Sequence, residues 1–342
     1  MTAVVLNDSC LIQSLHFFLF LPRVGASMMN YNSSDKFYWD AKGSYLENCI
    51  FACYYFLIFI LAVPGNTLAL WVFVYHKKNK TSTVFLRNLA VADTSYVMIL
   101  PMRIVYHIMD SNWPFGEVLC RIVGFLFYLN MYCSLYFMTC ISLDRFIAVV
   151  FPVKSLRLRK PLYANIIAVT LWIILIITMF PLLISRQTIQ LKNCTVCKQL
   201  YREQMSDRAL VSLIVAFVIP LVTIVVSYLL IIHKLQKMHQ ENRPMKEKAF
   251  KMIILILANF LVAFVPYHIN RVIYISAFNS KAVTQDKMAY LAFTNRITSS
   301  LTCISGVFDP VMYFFLTKTF QKSLMNLFCR KKTCTEEQMS IS

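Results

Sequence analysis

Arg103, Arg271 and Arg296 stand in three separate apolar stretches of this chain, where a charged side chain is costly unless it has a task. Arg103 and His107 are four residues apart, and His268 and Arg271 are three apart, so a helix puts each pair on one face. Tyr106 and Tyr128 lie close to the same level. The outer ends of the apolar windows that hold these arginines contain no acidic residue to pair with them. Guanidinium forks match the geometry of carboxylates and phosphates, so the chemistry implied is capture of an anion, not bond-making. The competing reading of one such arginine is a side chain reaching to lipid headgroups, which is weaker for three on different helices.

A second set is acidic. Asp93 and Asp309 lie deep in two stretches, with Asn66, Ser134 and Ser305 at a comparable level. Oxygen-rich groups of this kind suit a small hard cation such as Na+, or a hydrogen-bonded network that keeps helices in register. A third set, Asp144-Arg145-Phe146, ends one stretch, while Asp309-Pro310-Val311-Met312-Tyr313 ends another. A charged pair at a membrane edge together with such a motif points to a signalling receptor more than to a pore or an enzyme.

The elements that must position these residues are membrane helices. The chain is 58% hydrophobic and 15% charged, too little polar surface for a water-soluble domain of this length. Seven continuous apolar runs are expected to span the bilayer, near Cys49–Tyr75, Val84–Ile108, Leu119–Val150, Pro161–Ile184, Ala209–Ile232, Lys248–Tyr274 and Met288–Phe315. Their continuity excludes a transmembrane barrel. The expected fold is an all-α membrane protein, a seven-transmembrane helix bundle with a short amphipathic cytoplasmic helix after span seven. Residues 1–46 form the extracellular N-terminal segment, 47–316 the bundle and 317–342 the cytoplasmic helix and tail. The net charge of +18 does not indicate nucleic acid, because the basic clusters fall in the loops after spans one, three and five and in the tail. These all lie on one side, which makes that side cytoplasmic. Prolines Pro101, Pro181, Pro220, Pro266 and Pro310 are expected to interrupt five spans.

Among 11 cysteines, Cys120 at the outer end of span three is expected to bridge to the following extracellular loop, with Cys197 as partner and Cys194 as its rival. Asn32-Ser33-Ser34 is a glycosylation signal, and Cys329 follows a basic amphipathic stretch suited to palmitoylation. A transporter would show inverted repeats and paired broken helices, and no internal symmetry is visible. An enzyme would need a nucleophile–base pair or metal set, and Asp93 with Asp309 lacks a protease-like context.

The motifs Gly65-Asn66, Leu89-Ala90-Val91-Ala92-Asp93, Trp113-Pro114-Phe115-Gly116, Asp144-Arg145-Phe146, Trp172, Pro220 with Tyr228, and Asp309-Pro310 with Tyr313 occur in order along the spans. Together they resemble rhodopsin-like G-protein-coupled receptors across residues 45–332. The run Phe264-Val265-Pro266-Tyr267-His268-Ile269-Asn270-Arg271 resembles the purinergic nucleotide and cysteinyl leukotriene branch. That resemblance implies a plasma-membrane receptor, with an extracellular N-terminus, for a uracil nucleotide, nucleotide sugar or cysteinyl leukotriene. It implies that His268 and Arg271 contact the ligand anion, and the expected ligand set adds Arg103, Tyr106, His107, Tyr128 and Arg296 to them. It further implies a G-protein switch at Asp144 and Arg145, with Tyr228 and Tyr313 expected to join it, and a sodium-site carboxylate at Asp93, with Ser134 and Asp309 expected beside it. The implied partners are a heterotrimeric G protein, arrestin, receptor kinases and membrane lipid. Ligand-independent activity that modulates related receptors is the alternative. Two departures stand out: Phe264 replaces a frequent tryptophan, and Ser276–Lys287 lacks the cysteine for a second extracellular bridge.

Overall fold

The computed structural model describes residues 44–75, 80–190, 195–198, 207–237, 243–279, 285–317 and 320–325. Asn32, Cys194 and Cys329 lie outside the described residues. The chain is a bundle of long helices with one two-stranded antiparallel ribbon among the described residues, Thr188–Gln190 against Thr195–Cys197.

Among the described residues, six helices are long and apolar enough to cross a membrane: Tyr45–Tyr75, Thr81–Ile108, Gly116–Val150, Pro161–Ile184, Leu213–Gln236 and Ala249–Ala277. The seventh span differs from a plain apolar helix. It runs as Gln285–Leu301, a 3-10 turn at Thr302–Ile304, and Ser305–Leu316. Its outer half is rich in polar residues, and Asn295, Arg296, Ser299 and Ser300 are buried in the bundle. Spans five and six extend past their apolar runs, as Asp207–Gln236 and up to Asn279, because a helix continues into water wherever its backbone bonds are kept. The first residues of the loop expected at Ser276–Lys287, and its last, are therefore helical. A helical segment resumes at 320–325.

Span three is the central pillar: 67% of its most apolar window is buried, against 11% for span four. Span four shows why. Ile166, Val169, Ile173 and Ile177 face lipid, while the small Ala164 and Ala168 face the bundle and allow close approach. Trp172 Nε1 donates to Asn88 Oδ1 at 3.0 Å and ties span four to span two.

The five prolines act in two ways. Pro101 follows a break in span two between Thr81–Val97 and Leu100–Ile108, and Pro181 opens the short helix Pro181–Ile184. Pro266 follows a π-helical turn at Phe260–Phe264. Pro220 and Pro310 instead lie inside unbroken helices, contrary to the expectation of interruption. Each removes the hydrogen bond to the carbonyl four residues earlier. In both cases a neighbouring span supplies the missing donor. Tyr136 OH donates to Ala216 O at 3.2 Å, and Asn66 Nδ2 donates to Gly306 O at 2.8 Å.

Gly65 completes the second joint. A Cβ at this position would lie 2.7 Å from Pro310 Cγ, so glycine is what lets span one reach the proline turn. Gly65→Ala is expected to destabilise the fold by about 1–3 kcal/mol, the usual cost of overpacking. Thermal melting of the detergent-solubilised protein checks this, and an unchanged midpoint contradicts the joint.

Candidate functional site

At the outer end, Cys120 and Cys197 form the disulfide, which settles the choice between Cys197 and Cys194. The ribbon is also held by Glu117, in the first turn of span three. Its carboxylate accepts from the Gln187 amide at 2.6 Å, the Thr188 amide at 2.9 Å and the Thr188 hydroxyl, and pairs with Arg121 at 2.7 Å. Trp113, only 2% exposed, donates its amide to Thr195 O at 2.8 Å and its indole N–H to Gly116 O at 2.7 Å. Gly116 has φ 74°, a conformation that favours glycine. The hairpin is thus pinned against the outer ends of spans two and three. Desolvation draws the ammonium of Lys198, next to the disulfide, below the ordinary lysine range, with Glu117 opposing.

The three arginines are all buried: Arg103 at 0% exposure, Arg271 at 1% and Arg296 at 6%. The break before Pro101 sets the inward turn of Arg103. Its guanidinium stacks over Phe127 at 4.4 Å, stands 5.7 and 5.9 Å from the Tyr55 and Tyr96 rings, and donates to Tyr55 OH at 3.4 Å. Phe127 meets Tyr267 edge-on, and Tyr267 OH donates to Tyr128 OH at 3.3 Å. Tyr267 in turn meets His268, whose ring stacks on Phe217 at 4.1 Å. His268 Nδ1 donates to Phe264 O at 2.8 Å, which leaves Nε2 as an acceptor with no hydrogen-bond partner among the described residues. A continuous aromatic path therefore links Arg103 to His268. Arg271 stacks over Tyr274 on its own helix.

Two expectations need correcting here. Span one starts at Tyr45, not Cys49, and its first turn brings Glu47 to within 3.5 Å of Arg296. The arginine set thus has an acidic partner that the apolar windows did not contain. His107 sits in the seam between spans one and two. Its Nδ1 bonds Asn48 Oδ1 at 3.0 Å, and its ring stacks on Phe51 and Tyr55. Asn48 is the hub of that seam. It donates to Asp110 Oδ1 at 2.7 Å and accepts from Ser111 Oγ at 3.0 Å, fixing Asp110 and Ser111 at the left-handed φ values of 52° and 61°. Tyr106 is buried beside His107 and Trp113.

Midway through the bundle, Asp93 and Asp309 are both fully buried. Asp93 accepts from Asn130 Nδ2 at 3.0 Å and from Tyr313 OH at 3.1 Å. Asp309 accepts from Asn259 Nδ2 at 2.9 Å. The Tyr313 hydroxyl thus joins this cluster, where it finds a buried carboxylate. Asn66 gives its amide to the Ala62 and Gly306 carbonyls, and Ser305 donates to Thr302 O, so both serve backbone groups. Asp309 Oδ2 and Ser134 Oγ are buried without a hydrogen-bond partner among the described residues, oxygens of the kind a hard cation takes.

At the inner end, Asp144 is held mainly by Arg159. Nε and Nη2 of Arg159 donate to the two carboxylate oxygens at 2.7 and 2.9 Å, while Arg145 stands at 3.7 Å. Tyr228 and Ser142 hydroxyls hydrogen-bond at 2.7 Å, joining spans five and three below the proline turn of span five. Sequence reading missed Glu47, Asn48, Glu117, Asn130 and Asn259 as site residues and counted Arg159 only as loop charge. Polar residues inside apolar runs were the available signal for Asn130 and Asn259. Nothing local marks Glu47 or Arg159.

A family model described as 7 transmembrane receptor (rhodopsin family) matches residues 65–313. The uracil nucleotide/cysteinyl leukotriene receptor of Homo sapiens is 53% identical over 288 residues, covering 84% of this chain and 78% of the relative. Cysteinyl leukotriene receptor 1 of Mus musculus is 36% identical over 286 residues, covering 81% of each. A purinoceptor of Homo sapiens is 32% identical over 279 residues, covering 79% of this chain and 74% of the relative.

Arg159→Ala removes a bidentate partner from a buried carboxylate. It is expected to cost about 1–3 kcal/mol of stability, less than a fully orphaned charge because Arg145 is close enough to turn to Asp144. Thermal melting reads the loss, and exposed Arg157→Ala should leave the midpoint unchanged. Equal melting of the Arg159 variant and the parent would contradict the assigned pairing.

Proposed function

The chain belongs to the rhodopsin family of seven-transmembrane receptors, and on that footing we propose that it is the receptor for an extracellular anionic ligand, a uracil nucleotide, nucleotide sugar or cysteinyl leukotriene. It is a multi-pass plasma-membrane protein whose partners are a small-molecule ligand and a heterotrimeric G protein. The observation that carries the ligand reading is the deep burial of three guanidiniums from spans two, six and seven in the outer half of the bundle. Relatives named for uracil nucleotides and cysteinyl leukotrienes support it.

In this reading Arg103, Arg271 and Arg296 hold the ligand's acidic groups by charge-assisted hydrogen bonds, while Tyr106, Tyr128 and His268 line its organic portion. His107 contributes from the seam by supporting the turn that carries Arg103. The ligand favours one of two bundle states by binding it more tightly. Arg271 and His268 sit just beyond the π-helical turn and Pro266, a point where span six can bend. Drawing them toward spans two and seven would swing the inner half of span six. That movement would expose Asp144, Arg145 and Tyr228 to the G protein, with arrestin and receptor kinases using the same basic face near anionic lipid. The cycle contains no bond-making step by the receptor itself.

G-protein activation in membranes, challenged with uridine diphosphate, a uridine diphosphate sugar and a cysteinyl leukotriene, tests the reading. Arg103→Ala and Arg271→Ala are each expected to raise the half-maximal concentration at least about thirtyfold, the usual loss when one partner of a buried charge pair is removed. Arg145→Ala should lose activation while ligand binding persists. High activity without any ligand, indifferent to the arginine substitutions, would overturn the proposal.

A sodium ion suits the midlevel cluster, where Asp93, Ser134 and Asp309 would hold it. The ion would supply the positive charge that two adjoining buried carboxylates require. Raising sodium at constant ionic strength is expected to weaken agonist binding, and Asp93→Asn to remove the effect. Sodium sensitivity that survives the substitution would rule this site out.

A further inference from the structure

The ion pair between Glu47 and Arg296 is unequal. The Arg296 side chain is 7% exposed and that of Glu47 is 34% exposed, at 3.5 Å. The arginine cannot leave for water, whereas the carboxylate can. The backbone beneath Glu47 is nevertheless fixed, because the next residue, Asn48, is 1% exposed and clamps His107, Asp110 and Ser111. Arg103 and Arg296 both act electrostatically on His107, so the pair lies within the field of the arginine set. A released Glu47 stays in the first turn of its helix, where the backbone N–H groups favour negative charge.

We propose that Glu47 is a tethered counter-anion, which occupies Arg296 in the ligand-free receptor and is displaced by the ligand's acidic group, setting the affinity threshold. This rests on the reading of the arginine set as the ligand site. Two anions cannot both approach one buried guanidinium without mutual repulsion, so each weakens the other's hold. Glu47 therefore lowers the apparent affinity of every anion that needs Arg296. It also neutralises the guanidinium while the site awaits ligand. A purely structural pair would instead steady span one against span seven, and its loss would weaken ligand binding.

The two alternatives predict opposite signs. Concentration–response curves for G-protein activation would be recorded with uridine diphosphate, a uridine diphosphate sugar and a cysteinyl leukotriene. Glu47→Gln is expected to lower the half-maximal concentration of each activating probe roughly three- to tenfold, the range of a partly exposed pair with one buried partner. Glu47→Asp, which keeps the charge, should stay within about twofold of the parent. Glu47→Gln added to Arg296→Gln should bring no further gain, and surface labelling confirms equal display. A parent that responds while Glu47→Gln leaves the curve unchanged or moves it to higher concentration overturns this inference alone. The same gain in the Arg296→Gln background also overturns it. A parent that answers none of the probes overturns the ligand reading and this inference with it.

Discussion

A carbonyl freed by proline inside a bilayer has no water to turn to, and much of this bundle follows from that constraint. Pro220 and Pro310 each leave one such group, and each is met by a side chain from another span. Tyr136 thereby joins span three to span five, and Asn66 joins span one to span seven. The second joint requires Gly65, since any larger residue would strike Pro310. The joints have a use beyond satisfaction of polar groups. Proline turns bend helices, and a side-chain donor in place of a ladder bond fixes where the bend falls.

The same rule applied to charges divides the interior into levels. Carboxylates gather midway, each bonded to an asparagine, and guanidiniums gather toward the outside among tyrosines. Aromatic faces accept a buried guanidinium because their π-electrons partly replace its hydration. The disulfide and Glu117 hold the hairpin against the outer end of span three. Asn48 anchors the first turn of span one on the same side.

Between the levels, span six is the connecting element. Its π-helical turn and Pro266 separate an outer part that carries His268 and Arg271 from an inner part that reaches the cytoplasm. At that inner end Asp144 is shared unequally between Arg159 and Arg145. A shared carboxylate is suited to a switch, because small movements redistribute one charge between two partners at little cost.

The seven-helix bundle and the inward placement of Asp93, Arg103, Arg271 and Arg296 were determined by the sequence alone. Apolar length and loop charge act locally and leave their mark residue by residue. Trp113 and Gly65-Asn66 were likewise visible as motifs, though not the contacts they make. Only the tertiary structure decided which partner each polar group takes. Tyr313 went to Asp93, His107 to Asn48, Arg159 to Asp144 and Glu47 to Arg296. Even the nearest of these pairs, Arg159 with Asp144, is 15 residues apart, and Tyr313 lies 220 residues from Asp93. Hydrophobic periodicity says that a side chain turns inward. Without water to serve as a universal partner, what it meets there is set by the packing of other spans, and no local pattern records that.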